Sequence, residues 1–391
     1  MSVRILAFFD TRYQASPEFA RLSGSDDPWH ALRNARPPSR QYDHVNWPSS
    51  LGTYDLGAPN QAASVVGMAA GAGVDGFVVA INIADGRYFT GVEPLIPLCR
   101  PELFGLAFHW ANGKDPFWAS PAARDVRKER ARALVAALPS QDHVYVGGRP
   151  ILIIDHPQDL AEPAGTLALI REEAKRSGLP DLYIIANRAG DTGLQDQGYD
   201  AAVDPDPGDW PSCQPKNKPS GLEILEIRAG LRDSVEWTDK FYPYALFAVS
   251  RMINRQKRGK VFPRVFPAYQ NWPTHLDGDA TVLTNRDSGG VDRYIFGLFV
   301  ENAITFAHEA FPADERLVFV DSWNHWLDGS QVEPSTLDGD LVYNTLRAAI
   351  DKGRYMIRTR GELPSRRLGS SIHDMISQIC DAAAAAMPTG K

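Results

Sequence analysis

One short stretch of this chain, residues 316 to 334, contains most of the side chains that could do acid–base chemistry. An apolar run at 317–320 has the length and β-branched content of a buried strand. A dense polar and aromatic group follows it at once: Asp321, Trp323, Asn324, His325, Trp326, Asp328 and Glu333. Carboxyl and imidazole groups transfer protons near neutral pH, and indole rings offer flat apolar faces to sugar C–H groups. A polar turn above two buried tryptophans would explain the same residues.

Within this stretch we predict that Asp328 is a general acid and that His325 is a base or a partner of a substrate hydroxyl. The structural alternatives are a salt bridge at Asp328 and a packed histidine bonded to a backbone carbonyl. Glu333 is expected to orient the loop or to bind substrate hydroxyls. A metal ion at 325 and 328 has weak support because catalytic zinc usually has more histidine ligands. We therefore predict neither a metal nor a cofactor.

Eight apolar runs predict the strands that must position these residues. They span Arg4–Asp10, Val74–Asn82, Leu103–Trp110, Arg149–His156, Leu182–Arg188, Tyr199–Asp204, Arg264–Asn271 and Arg316–Trp323. Helical patterns separate them, which favours βαβ units and a parallel sheet. We predict an α/β fold, a single (β/α)₈ TIM-type barrel with long loops at its C-terminal face. An open doubly wound sheet is the alternative, but no glycine-rich turn follows Asp10.

The predicted helices and the remaining segments complete this organisation. The helices are Gln61–Gly73, Pro121–Leu138, Thr166–Arg176, Lys240–Arg258, Val291–Phe311, Asp340–Ile350 and Ser370–Ala386. The polar stretch Thr11–Pro59 is too long for a simple connection and predicts a functional loop over one face. We predict a barrel domain at 1–355 and a C-terminal helical extension at 356–391.

Polar and aromatic residues fall at the carboxyl ends of the predicted strands, which meet on one face of a barrel. The candidate substrate-binding residues there are Asp10, Trp110, Asn112, Asp155, Asp204, Tyr269, Asn271, Trp323, Asn324, Trp326 and Glu333. Some of the acids and amides could instead cap the next helix, and buried core is the commoner place for tryptophan. One of Asp10, Asp155 and Asp204 could be the second carboxylate of an inverting glycosidase.

Composition limits the other functions. The chain has 391 residues and a formal net charge of −7, which argues against a nucleic-acid partner. Its three cysteines have no metal or redox spacing, so reduced thiols of a cytoplasmic protein are expected. We find no signal-peptide pattern and no run of 18 apolar residues, and therefore expect no transmembrane segment.

Several motifs, in order, resemble one family. The strand end His109-Trp110-Ala111-Asn112 resembles the "WAN" of WbsX-type surface-polysaccharide proteins, which are relatives of glycoside hydrolase family 99, the endo-α-mannosidases. Trp323 to Pro334 resembles "WNEWAEGxxLEP" and is the most specific match. Further similarities are Leu32–Pro37 with 52–56 ("YYDL"), Val74–Phe77 ("IDGF"), Gly148–Pro150 ("GKP"), Gly198–Val203 and Phe266–Asn271 ("FPGWDN"). The resemblance covers about residues 4 to 350.

This resemblance implies a (β/α)₈ barrel with a sugar cleft at its carboxyl face. In the hydrolase branch, two carboxylates three residues apart act after the last strand: the first deprotonates the sugar's own 2-hydroxyl, and the second protonates the leaving oxygen. His325 and Asp328 hold those positions here. Gln270 replaces an aspartate of the family pattern, and Gly113 stands where glutamate is frequent. The site therefore departs from the family's carboxylate pair.

Three functions remain open from the sequence. The first is cleavage or transfer of a glycosidic bond in a polysaccharide or glycan, with Asp328 as acid and His325 as assisting base. The second is a glycosyltransferase that uses a sugar nucleotide or a lipid-linked sugar, although no glycine-rich phosphate loop is present. The third is a barrel that binds glycan without catalysis. The oligomeric state is not predicted.

Overall fold

The computed structural model describes residues 2–36, 45–100, 102–139, 141–187, 193–205, 240–241, 244–255, 259–274, 281–283, 286–287, 290–291 and 293–359. The predicted C-terminal helix Ser370–Ala386 lies outside the described residues. Every candidate site residue named above lies within them.

The described strands form one large sheet and two small ones. In chain order they are β1 (Arg4–Phe9), β2 (Gly76–Ala84), β3 (Arg87–Phe89), β4 (Gly105–Trp110), β5 (Tyr145–Val146), β6 (Arg149–Ile154), β7 (Tyr183–Asn187), β8 (Ala201–Val203), β9 (Lys240–Phe241), β10 (Val261–Phe262), β11 (Arg264–Val265), β12 (Tyr269–Gln270), β13 (Thr281–Leu283), β14 (Arg286–Asp287), β15 (Gly290–Val291) and β16 (Leu317–Val320). The large sheet runs in the order β10-β8-β7-β6-β4-β2-β1-β16-β11, with β3 and β5 as antiparallel additions.

This sheet closes into a ring because β10 and β11 belong to one interrupted strand. β10 pairs in parallel with β8, and β11 pairs in parallel with β16. Pro263 separates the two halves, since proline has no N–H to donate to a neighbouring strand. Its carbonyl still accepts a hydrogen bond from Phe319 N at 2.9 Å. Counted with this strand, the barrel has eight parallel strands, so the predicted (β/α)₈ fold is confirmed.

The barrel strands are buried along almost their whole length. Their apolar runs cover both faces of the sheet, as is typical of parallel strands covered by helices. Inside the barrel, the ring centroids of Phe8 and Phe319 lie 6.0 Å apart. This packed interior fixes the strand ends that carry the polar residues.

Helices surround the ring. The described α-helices are α1 (Pro17–Ser23), α2 (His30–Asn34), α3 (Pro59–Gly71), α4 (Arg124–Ala136), α5 (Pro163–Arg176), α6 (Tyr244–Asn254), α7 (Arg293–Ala310) and α8 (Leu341–Thr359). The first two lie within the predicted loop Thr11–Pro59. Ser16 begins α1 by accepting a hydrogen bond from Phe19 N at 3.2 Å. That loop is therefore partly helical.

Two predicted elements are shorter than expected. Within the described part of the predicted helix Lys240–Arg258, residues Tyr244–Asn254 are helical, whereas Lys240–Phe241 pairs with β13 as strand β9. The predicted strand Arg264–Asn271 leaves the barrel after Val265. Beyond Pro267, residues 269–270 pair antiparallel with β13 instead.

The C-terminal boundary remains a prediction. Helix α8 runs through Thr359 and so crosses the expected division between 355 and 356, and residues 360–391 lie outside the described part of the chain. Among the helices that the structure describes, none has both the length and the apolar content needed to cross a bilayer.

Candidate active site at the carboxyl ends of the barrel strands

The loop after β16 folds back on itself and holds its polar residues in fixed places. Ser322 N donates to Ser330 O at 3.0 Å, and His325 N donates to the Ser322 hydroxyl at 2.8 Å. Gly329 has a φ of 61°, and a Cβ there would lie 2.7 Å from Gln270 Cγ. Glycine is therefore required at this turn for both its conformation and its close contact.

His325 lies between two carboxyl groups of this loop. Its Nδ1 is 3.5 Å from Asp321 Oδ1 and 3.7 Å from Asp328 Oδ2. The side chain of Asp321 is 2% exposed, whereas those of His325 and Asp328 are 21% and 29% exposed. A buried carboxylate thus lies behind an imidazole that solvent reaches, and it can stabilise the imidazolium form when the ring takes up a proton. Asp328 is the more accessible of the two acids.

Arg264 is a buried cation behind His325. Its Nη2 lies 3.0 Å from Asp321 Oδ2, and its guanidinium lies 4.1 Å from the centre of the Phe8 ring. Burial raises the pKa of Asp321, although the charge of Arg264 opposes that shift. Arg264 therefore fixes the position of the carboxyl group that contacts His325.

Asp10, at the end of β1, is held by Arg12. Two guanidinium nitrogens of Arg12 donate to Asp10 Oδ2 at 2.6 and 2.8 Å. Burial alone would raise the pKa of Asp10, but the charge and hydrogen bonds of Arg12 outweigh it and hold this pKa below its usual value. The charge of His325 also lowers the pKa of Asp10, and the charge of Asp328 raises the pKa of Arg12. The ends of β1 and β16 are thus electrostatically coupled.

A buried hydrogen-bond chain joins Asp10 to Glu333. Asn324 binds the backbone of Asp10 in both directions, at 2.8 and 3.0 Å, and its Nδ2 also donates to Tyr54 Oη at 3.1 Å. Tyr54 Oη donates to Glu333 Oε2 at 2.9 Å. Burial raises the pKa of Glu333 to about 8, against the hydrogen bond from Tyr54. Glu333 and Asn324 therefore organise the loops beneath the surface of the site.

Two other predicted site residues, Asn112 and Asp204, are held by contacts with other parts of the protein. Asn112 forms two 2.7 Å hydrogen bonds with the backbone of His156, as donor through Nδ2 and as acceptor through Oδ1. Asp204 forms a buried ion pair with Arg251 of α6. Both contacts are structural, since each joins segments that are distant in sequence.

The aromatic candidates lie in the core beneath the site. Trp110, Trp323 and Trp326 are each at most 1% exposed, and Tyr269 is 5% exposed. Trp110 packs edge-on against Trp118 at 5.3 Å. In this arrangement the indole faces contact protein atoms.

His109 is a buried, uncharged residue below the polar cluster. Burial lowers its pKa to about 4, with the charges of Asp155, His325 and Arg264 as smaller influences of both signs. The imidazole is therefore neutral at pH 7. Its ring lies edge-on to that of Phe8 at 5.5 Å, and the guanidinium of Arg264 lies over the same Phe8 ring.

The structure thus brings Asp10, Asn324, His325, Asp328 and Glu333 together, and places Asp155 at the same mouth. Asn271 is also buried at that end of the barrel, 7% exposed. Sequence reasoning assigned no role to Arg12, Tyr54 or Arg264. Two sequence features could have indicated the arginines. Arg264 is a lone charge at the start of an apolar strand, and Arg12 follows Asp10 by two residues. Among the described residues, no group of three or more His, Cys, Asp or Glu is arranged to hold a metal ion.

Comparison with known proteins identifies relatives over most of the chain. The family described as "Glycosyltransferase WbsX" matches residues 25–345. The uncharacterized protein WxcX of Xanthomonas campestris pv. campestris is 21% identical over 378 residues, which cover 89% of this chain and 50% of that protein. The chain therefore spans about half the length of the curated relatives it matches.

Two solved structures share the fold. A glycoside hydrolase-like protein aligns with a TM-score of 0.53 at 13% identity, covering 89% of this chain and 94% of that one. A family 99 endo-α-mannosidase from Bacteroides thetaiotaomicron, in complex with bis-tris-propane, aligns with a TM-score of 0.51 at 15% identity, covering 91% and 98%. At these identities the likeness establishes the barrel architecture.

Proposed function

This chain belongs to the WbsX family, and on that premise we propose that it cleaves or transfers a glycosidic bond of a glycan. Asp328 protonates the leaving oxygen as the bond from the anomeric carbon to that oxygen breaks. The attacking hydroxyl, from water or from a sugar, forms the new bond to the anomeric carbon and gives its proton to His325. Asp321 stabilises the resulting imidazolium. No cofactor takes part in this scheme.

The observation that carries this proposal is the placement of His325 between Asp321 and Asp328. An accessible carboxyl group and an accessible imidazole lie side by side, which supplies one acid and one base for the two proton transfers. Asp321 and Arg264 hold the base from behind, as catalytic histidines require. The imidazole and the shorter acid replace the two glutamates that the family resemblance implies.

The glycan class is proposed from the structural neighbours. Since one of them is named an endo-α-mannosidase, α-linked manno-oligosaccharides are the first substrates to test. Surface polysaccharides made of other sugars form the next panel, in keeping with the WbsX resemblance.

The decisive experiment replaces Asp328 by asparagine. We expect turnover of the glycan to fall about 100- to 10,000-fold, which is the usual contribution of a general acid or base. Asp340→Asn is the matched control because Asp340 is an exposed carboxyl at the start of α8. Turnover that is unchanged in Asp328→Asn, with both variants folded, would remove Asp328 from this role.

A glycosyltransferase is the second candidate, because the family as a whole is described as one of glycosyltransferases. Calorimetric titration with nucleotide sugars tests it, and saturable binding would support transfer from such a donor. A glycan-binding barrel without turnover is the third. It gains support if oligosaccharide binds while no product forms between acidic and alkaline pH.

We propose a cytoplasmic location and a glycan as the partner. The three dispersed cysteines support the first point, because none has disulfide-framework spacing. Cell fractionation with an antibody against the chain tests it, and recovery outside the cytoplasmic fraction would contradict it.

A further inference from the structure

A second histidine–carboxylate pair lies at the barrel mouth, directly after β6. His156 Nε2 is 3.7 Å from Asp155 Oδ2, and the two side chains are 34% and 29% exposed. This arrangement parallels that of His325 and Asp328 in both distance and accessibility. The chemistry assigned to the first pair leaves the second pair without a role.

The position of the His156 ring is built into the fold. Asn112 binds the backbone N–H and carbonyl of His156, which fixes the backbone that carries the ring. A Cβ at Gly113 would lie 2.5 Å from His156 Cδ2 and 3.1 Å from its Nε2. The imidazole therefore occupies space that any other residue at position 113 would need. Glycine is what allows the ring to lie there.

A continuous polar chain joins the two histidine pairs through the barrel. Asn187 Nδ2 donates to Asp155 Oδ1 at 2.9 Å, and Arg264 Nη1 donates to Asn187 Oδ1 at 3.2 Å. Arg264 also binds Asp321, the buried partner of His325. Because Asn187 and Arg264 are buried, interior bonds fix the spacing between the two imidazoles.

The strand order places the two pairs on opposite sides of the mouth. β6 is the fourth strand of the eight-membered ring and β16 is the eighth. A single sugar unit at His325 and Asp328 therefore lies across the barrel axis from His156. An imidazole both donates and accepts hydrogen bonds, which suits sugar hydroxyls.

We propose that His156 binds a second sugar unit of the same substrate, so that the cleft takes an oligosaccharide of at least two units. This inference rests on the proposed function, since it places the cleaved or transferred bond at His325 and Asp328. His156 is a substrate-binding residue and takes no part in the proton transfers. Its contribution therefore depends on the length of the substrate.

The test compares a long and a short substrate in the full chain. In His156→Ala, we expect KM for α-linked mannotetraose to rise about 3- to 10-fold, as for loss of a hydrogen bond to a neutral group. Its kcat should change by less than about 2-fold, since the interaction binds ground and transition states alike. For 4-nitrophenyl α-mannoside, KM should stay at the wild-type value. His30→Ala, a histidine on the exposed face of α2, is the control.

Gly113→Ala tests the same ring without removing it. Its Cβ displaces the imidazole, so we expect the same rise in KM for mannotetraose. Gly67→Ala is the matched control because a Cβ there meets nothing within 4 Å. In the double variant His156→Ala/Gly113→Ala, the second substitution should add nothing, since there is no ring left to displace.

Three outcomes overturn the inference: an unchanged KM in His156→Ala, equal effects on the long and short substrates, or additive effects in the double variant. Calorimetric binding of mannotetraose to Asp328→Asn, with and without His156→Ala, separates this inference from the proposed function. A 3- to 10-fold weaker affinity supports the second sugar site even if Asp328 proves not to be the acid. Equal affinities remove that site and leave the role of Asp328 standing.

Discussion

The two ends of the barrel both carry charged groups, but these groups have different surroundings. At the amino end, Asp200 accepts hydrogen bonds from Arg149 and Arg171 at 2.7 Å each and from Ile184 N at 2.8 Å. At the carboxyl end, Asp328 and His325 lie 3.7 Å apart, and solvent reaches both. At the amino end, hydrogen bonds within the protein occupy the carboxylate. At the carboxyl end, the acid and the imidazole remain accessible to protons and hydroxyl groups.

This difference shows how one fold separates stability from chemistry. Asp200 joins the beginnings of β6, β7 and β8, and its pKa lies below the usual value because the arginines and Ile184 N–H outweigh burial. Such a carboxylate remains charged and cannot exchange protons near neutral pH. The accessible acid and base at the other end can take part in proton transfer, while buried Asp321 and Arg264 supply their rigidity.

The largest expected effect tests the carboxyl end. In His325→Ala, glycan turnover should fall roughly 100-fold or more, because the base for the attacking hydroxyl is lost. The free energy of unfolding should change by less than about 1 kcal/mol, since the ring is partly exposed. Steady-state kinetics and urea unfolding measure the two quantities. Added imidazole should restore part of the turnover, and full activity without it would contradict the assignment.

The next effect tests the amino end. Asp200→Ala leaves Arg149 and Arg171 without their shared carboxylate, so the free energy of unfolding should fall by about 2–3 kcal/mol, the scale of hydrogen bonds to a charged group. Turnover per folded molecule should stay at the wild-type value. Denaturant unfolding and activity measured on the folded fraction check both. Asp351→Ala, which removes an exposed carboxyl on α8, is the control. Loss of specific activity in Asp200→Ala would break the separation between the two ends.

The barrel could be predicted from the sequence because its signals are local. Each apolar run marks a strand, and each polar strand end follows directly from the run before it. The interrupted strand was harder: the predicted strand began at Arg264, so Val261–Phe262 was missed and residues 266–271 were wrongly added. Only the pairing of β10 with β8 and of β11 with β16 reveals the strand's extent.

The site was only partly predictable because the partners of its charges are distant in sequence. Nothing near Asp204 indicates that Arg251 of α6 neutralises it, and nothing near Asp321 indicates Arg264. The depth of the tryptophans also depends on packing that no local pattern encodes. Residue type and position at a strand end thus indicate a face of the barrel, whereas the contacts decide which of its groups remain accessible.

A smaller effect, dependent on pH, concerns Glu333. Its pKa is raised from 4.5 to about 8 in the folded protein. As pH rises between these values, the unfolded chain loses this proton while the folded chain keeps it, so stability falls and the loss is complete above the folded pKa. In Glu333→Gln this contribution disappears. The free energy of unfolding should therefore fall less between pH 5 and pH 8 than in the wild type, as pH-dependent unfolding can measure.

The control for that comparison is Glu129→Gln, an exposed carboxyl on α4. Its unfolding free energy should follow the wild type at every pH. Parallel curves for Glu333→Gln and the wild type would mean that Glu333 is already ionised in the folded protein. The carboxyl end would then hold its loops by charge, as the amino end does.

The smallest expected effect tests whether the Tyr54 hydroxyl holds the loops at the carboxyl end or whether the side chain contributes only by packing. Tyr54→Phe removes the hydroxyl that donates to Glu333 and accepts from Asn324, at an expected cost of about 1–2 kcal/mol in the free energy of unfolding. Tyr355→Phe is the matched control because that side chain is 60% exposed. Since the hydrogen bond from Tyr54 lowers the pKa of Glu333, its loss should move the pH-dependent fall in stability to higher pH. Equal unfolding curves for the two variants would mean that the hydroxyl is dispensable, and that packing alone holds the site's loops.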